Sequence, residues 1–178
     1  MNIRALTGKR NTKANPMVRK EILIGRDLAL TLFIDHEVLS SQHLNWARNL
    51  ASQVTPVERL SPLGLDMARA LAVFEAGEMP QWPDPVLDWG RVGPFARKVL
   101  ETLQRDVGYG ETISYGELAA LAGSPGAARA VGRTMANTPW SMLFPCHRVT
   151  GARGKLLGFG SCGVEMQEFL LRLEGTLE

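Results

Sequence analysis

Cys146 stands between Pro145 and the pair His147-Arg148, at the end of an apolar run that holds Trp140, Met142, Leu143 and Phe144. Its available chemistry is nucleophilic. Nearby cations lower a cysteine pKa from about 8.5 towards ~7 or below, and an adjacent imidazole can take the proton directly or through water. The same residues also describe a buried structural cysteine beside solvated His and Arg, since free cysteines are mostly buried and inert. The elements around the motif decide between the two.

Downstream, Gly151, Gly154, Gly158, Gly160 and Gly163 make 150–163 a tightly turning loop able to wrap a flat ligand with its main chain. A last helix, Val164 to Leu173, turns Leu170, Leu171 and Leu173 inward and ends at Glu174-Gly175. Glu174 is either a plain terminal carboxylate or the acid that orients His147.

Upstream, Phe95, Val99 and Leu103 share a helical face, and Gly108-Tyr109-Gly110 ends that helix. Ser114 and Glu117 form a capping box that opens a short helix to Ala122. Gly123 turns the chain, Ser124 caps, and Pro125 starts a second helix, predicted from Gly126 to about Ala136. Helix, tight turn, helix is the helix-turn-helix layout. The second helix carries small Ala127, Ala128, Ala130 and Gly132, with Arg129 and Arg133 on one face. Small side chains admit a groove wall, and the arginines can meet phosphates or enter the base stack. An alanine-rich packing helix with two solvated arginines fits as well.

The first half reads differently. Residues 1–20 hold Arg4, Lys9, Arg10, Lys13, Arg19 and Lys20 before any acid, a basic flexible arm that can reach phosphates or a solvated tail. Glu21 to Leu39 predicts two strands around Gly25-Arg26-Asp27, and helical spacing recurs from His43 to Gln53 and from Leu63 to Gly77. Met79 to Pro94 is a Pro- and Trp-rich connector with a short strand at Val86 to Trp89. The expected fold class is α+β: a small N-terminal α/β domain over 21–90, then a mainly helical domain over 91–178.

With 45% apolar and 21% charged residues, the 178-residue chain is of ordinary globular composition. It has no apolar run of ~18 residues, which predicts a cytoplasmic protein without a membrane span. Two cysteines fit a reducing compartment better than a disulfide framework, and without a metal-ligand motif no metal is expected. A net charge of +2 does not by itself argue for nucleic acid.

Taken in order, Gly110-Glu111-Thr112-Ile113-Ser114-Tyr115, Ala128-Arg129-Ala130-Val131-Gly132, Pro145-Cys146-His147-Arg148-Val149, Leu157-Gly158-Phe159 and Leu170-Leu171 with Glu174 resemble the O6-alkylguanine-DNA alkyltransferase family. The likeness covers about residues 91 to 176, and the first half is similar to that family's variable, RNase H-like N-terminal domain. The resemblance implies a winged-helix-like DNA-binding domain in a monomer that needs no cofactor and acts on duplex DNA containing O6-alkylguanine, with O4-alkylthymine a second substrate. It implies that Cys146 accepts the alkyl group, that His147 relays the proton through water with Glu174 behind it, and that Tyr115 contacts the flipped base. Arg129 would fill the gap in the duplex. Ala128, Gly132, Arg133, Arg148, Val149 and Gly160 complete the expected DNA and base contacts.

Four positions depart from the family pattern. Thr138 replaces the usual Asn, so Asn137, or Thr138 with a water, is expected to support the bend before the cysteine. The stretch Gly158 to Gly163 is a residue longer, Gln167 stands where lysine is common, and the zinc ligands of some members have no counterpart. Three other readings compete. A non-transferring relative would lack Cys146, a helix-turn-helix regulator would need dimer contacts, and a thiol hydrolase would need an oxyanion hole and a separate His/Asn partner.

Overall fold

The computed structural model describes residues 18–177. Strands β1 (Val18–Ile24), β2 (Leu28–Asp35) and β3 (Val38–Trp46) form an antiparallel meander, and β4 (Val86–Leu87) adds in parallel to β3 at Val38 and Leu39. Of the expected basic arm, Arg19 and Lys20 lie in β1, because the ladder runs on to Val18↔Asp35; Arg4, Lys9, Arg10 and Lys13 fall outside the described residues.

Three strands stand where two were expected, and the helix predicted from His43 is strand as far as Trp46. The second hairpin turns on His36 and Glu37 with φ of 47° and 71°, a two-residue turn of the kind usually marked by Asn-Gly. Leu44, Ala47 and Ala51 mimic a helical repeat, but Gln42, Leu44 and Trp46 are buried with the strand period of two and pair with β2. Only α1 (Ala47–Leu50) remains of that helix.

Helix α2 (Pro62–Glu75) is capped by Ser61 and lays Met67, Ala70, Leu71 and Phe74 in the core. Two buried carboxylates fasten its ends. Glu21 accepts from Ser61 N at 2.8 Å, and Glu75 accepts from the backbone N–H groups of Arg26, Asp27 and Leu28 at 2.7 Å each.

The second half is α3 (Pro94–Asp106), β5 (Ile113–Ser114), α4 (Tyr115–Leu121), α5 (Ala128–Asn137), β6 (Val149–Thr150) and α6 (Gly163–Leu173). The capping box at Ser114 and Glu117 is formed. Helix α5 starts at Ala128 rather than Gly126, because Gly126 has a φ of 86° that no helix accommodates. The parallel pair β5–β6 brings the start of α4 beside the chain leaving Cys146. A continuous core joins both halves, from Leu28 and Phe74 to Leu103, Trp140 and Leu170.

Candidate active site

Trp140, Met142, Leu143 and Phe144 are buried as their spacing implied, and Phe144 N bonds to Trp140 O at 3.0 Å. The chain then tightens into a turn over Cys146–Arg148, with Cys146 N donating to Phe144 O at 2.6 Å. This turn buries the thiol, yet leaves it in the wall of a cleft of about 840 Å3. Ser41 to Asn45 of β3 also line it, with Tyr115, Gly132, the end of α5 and 157–163 among its other walls.

The cations do not hold a thiolate. Burial pushes the Cys146 thiol up to about 12, and its backbone N–H offsets little of that. Both expected partners are engaged elsewhere. His147 Nε2 bonds Glu174 Oε1 at 2.8 Å, while Arg148 grips the same carboxylate through Nε and Nη2 at 2.9 Å each and gives Nη1 to Val107 O at 2.9 Å. Among the described residues no direct hydrogen bond joins Cys146 Sγ to His147.

Glu174 is thus the acid that orients His147, not a plain terminal carboxylate. Burial opposes its charge, but hydrogen bonds from His147 and Arg148 prevail and hold its pKa down to about 2. Burial also lowers the pKa of His147, against the pull of Glu174, so the resting imidazole is neutral. Its Nε2–H then donates to Glu174 and Nδ1 keeps a lone pair; that atom is buried with no hydrogen-bond partner among the described residues. Phe74 and Phe159 sit edge-on to the ring, each centroid 6.2 Å away.

Tyr115 reaches the cleft because Ser114 caps α4 at that point, and its phenol pKa is raised by burial and then by Cys146. Gly132 faces it: a Cβ there would lie 3.8 Å from the Tyr115 ring. Gly160 lines the cleft at a φ of 51°. On α5, Arg129 and Arg133 are exposed with no side-chain partner among the described residues, and Ala128 is half-buried away from the cleft.

Two of the expected base contacts, Arg148 and Val149, have their side chains engaged inside the protein. Arg148 is spent on Glu174 and Val107, behind the cysteine, and Val149 is fully buried in β6.

These features have close counterparts. Residues 94–176 match the profile of the 6-O-methylguanine DNA methyltransferase, DNA binding domain. A methylated-DNA--protein-cysteine methyltransferase of Mycolicibacterium paratuberculosis is 39% identical over 153 residues, spanning 85% of this chain and 84% of that one. One from Methanosarcina acetivorans is 40% identical over 62% of this chain and 69% of its own. The chain belongs to the methylated-DNA--protein-cysteine methyltransferase family. The crystal structure of the Mycobacterium tuberculosis O6-methylguanine methyltransferase superposes with a TM-score of 0.68 at 34% identity, over 91% of this chain and 95% of that one. The same organism's protein in complex with DNA gives 0.67 at 33%, over 87% and 91%.

Within this methyltransferase the departures from the family pattern have concrete structures. Among the described residues, no hydrogen bond from the Asn137 or Thr138 side chain reaches the bend before the cysteine. Asn137 Nδ2 turns back to Arg133 O at 2.7 Å, and Thr138 Oγ1 is buried with no partner among the described residues. The N-terminal sheet does that work: Gln42 N bonds Pro139 O at 2.7 Å, Gln42 Oε1 accepts from Met142 N at 3.2 Å, and Trp140 Nε1 donates to Leu39 O at 3.0 Å. The strand period of two that buries Gln42 was the available signal. In the longer loop, Cys162 contacts Leu44 O through Sγ at 3.7 Å.

Proposed function

We propose that the protein repairs O6-alkylguanine in duplex DNA by moving the alkyl group onto Cys146 Sγ. Its carrying observation is the buried Cys146 thiol opening into a cleft, next to an imidazole hydrogen-bonded to Glu174 at 2.8 Å. The thiol proton passes by way of water to His147 Nδ1, and Glu174 stabilises the imidazolium that results. Sulfur attacks the alkyl carbon in line; the S–C bond forms as the C–O6 bond breaks, and its electron pair stays on the guanine, which takes up a proton. Overall the thiol proton replaces the alkyl group on the base. The thioether has no ready leaving group, so each molecule acts once.

A base inside a duplex is out of reach of a buried sulfur, so the nucleotide must leave the stack, at a cost of about a few kcal/mol that damage reduces. Helices α4 and α5 act as a helix-turn-helix for this step. The small Ala128 and Gly132, one turn apart on α5, admit the minor groove, and exposed Arg129 takes the place of the extruded base. The complex of the related mycobacterial protein with DNA supports DNA as the partner. Cys146 itself speaks against a non-transferring binder. Cys146→Ser, incubated with duplex carrying a labelled O6-methyl group, should bind it and take up no label, whereas the parent takes up one label per chain. Label on the variant would assign the transfer to another residue.

A further inference from the structure

The buried amide of Gln167, on the inner face of α6, uses its full hydrogen-bonding capacity. Nε2 donates to His147 O at 3.1 Å and to Val149 O at 3.0 Å; Oε1 accepts from Leu157 N at 3.1 Å and Gly158 N at 2.8 Å. Two carbonyls on one side and two N–H groups on the other leave no choice in which end of the amide is which.

The two sides are the two halves of the site. His147 and Val149 flank Arg148 in the segment that carries the nucleophile, whereas Leu157 and Gly158 open the loop that walls the cleft. Gly158 needs its restraint most. Its φ of 110° is open to glycine alone, and beyond it the loop is closed by its own turn, Phe159 N to Gly163 O at 2.9 Å and Cys162 N to Phe159 O at 3.1 Å, with Cys162 Sγ on Leu44 O at 3.7 Å.

We infer that Gln167 is a positioning residue that sets the distance between the base-binding loop and the Cys146 segment, and so governs how tightly the alkylated base is held. This rests on the proposed transfer to Cys146. An amide is suited to the place because it donates and accepts at once. A lysine ammonium could still serve the two carbonyls but would leave both loop N–H groups without an acceptor, and methionine would serve neither side.

The test uses the full chain, with single-turnover kinetics on free O6-benzylguanine and hydrogen exchange of the Leu157 and Gly158 amides. In Gln167→Lys both amides should exchange faster. The half-saturating O6-benzylguanine concentration should rise about tenfold, as expected for loss of one to two buried hydrogen bonds, while the limiting rate stays within about threefold. Gln167→Met should speed the same amides and lower the limiting rate as well, because the nucleophile segment is freed too. A parent-like half-saturating concentration and parent-like exchange in Gln167→Lys would overturn the inference, as would loss confined to the limiting rate. The parent protein in the same series separates the two ideas: if it takes up no benzyl group, the transfer reading fails, and the amide exchange still reports on Gln167.

Discussion

Cys146 presents a nucleophile that is switched off at rest. A thiol pushed up to about 12 by burial has very little anion at neutral pH, so reactivity has to come from proton transfer within the site. Passing the proton to His147 changes no net charge, and its yield does not depend on bulk pH while His147 is neutral. Transfer should therefore be nearly flat with pH from about 7 to 9, whereas loss of the proton to solvent would raise the rate about tenfold per pH unit. The imidazole pKa is lowered from 6.5, so the acid limb should begin below that value. Glu174→Gln removes the charge that stabilises the imidazolium and should cut the single-turnover rate by about 10²-fold or more. It should also change acid stability. The Glu174 carboxyl falls from 4.5 to about 2 on folding, so its contribution is complete above 4.5 and is lost as pH drops towards 2; melting temperatures of the variant should show less loss across that window.

At the scale of elements, the tight turn between α4 and α5 sets what the duplex meets. Gly123 and Gly126, with φ of 74° and 86°, reverse the chain within a few residues and leave Arg129 and Arg133 facing out. Arg129→Ala should slow transfer from methylated duplex far more than from free O6-benzylguanine, since only the duplex needs a base extruded and its gap filled. Comparable losses on both would place Arg129 in the pocket or the fold. These helices were legible because capping residues and glycines mark their ends. Helix α5 was misplaced by its first residues because Pro125 fits a first helical position, while the φ of Gly126 is invisible in sequence. His36-Glu37 likewise carries none of the usual hairpin residues, which hid β3 and with it one wall of the cleft.

Across the whole molecule, the N-terminal sheet is part of the site. Gln42 and Trp140 tie β3 to the bend before Cys146, and the core runs through both halves without a break. The cysteine motif could be read from contiguous residues, whereas Gln42 and Met142 meet only across the fold, so spacing along the chain held no trace of them. Gln42→Ala leaves Met142 N buried without its acceptor. That should cost about 1–3 kcal/mol, seen as a lower melting temperature, with slower transfer alongside it. A variant that melts and reacts like the parent would remove β3 from the site's support.

The central claim concerns one atom, the Sγ of Cys146. The most direct measurement is the mass of the intact protein after incubation with a short duplex carrying O6-methylguanine, followed by peptide mapping. The expected result is the gain of a single methyl group, located on the peptide of Cys146, with no further gain when more substrate is added. An unchanged mass, or a methyl group on Cys162, would contradict it.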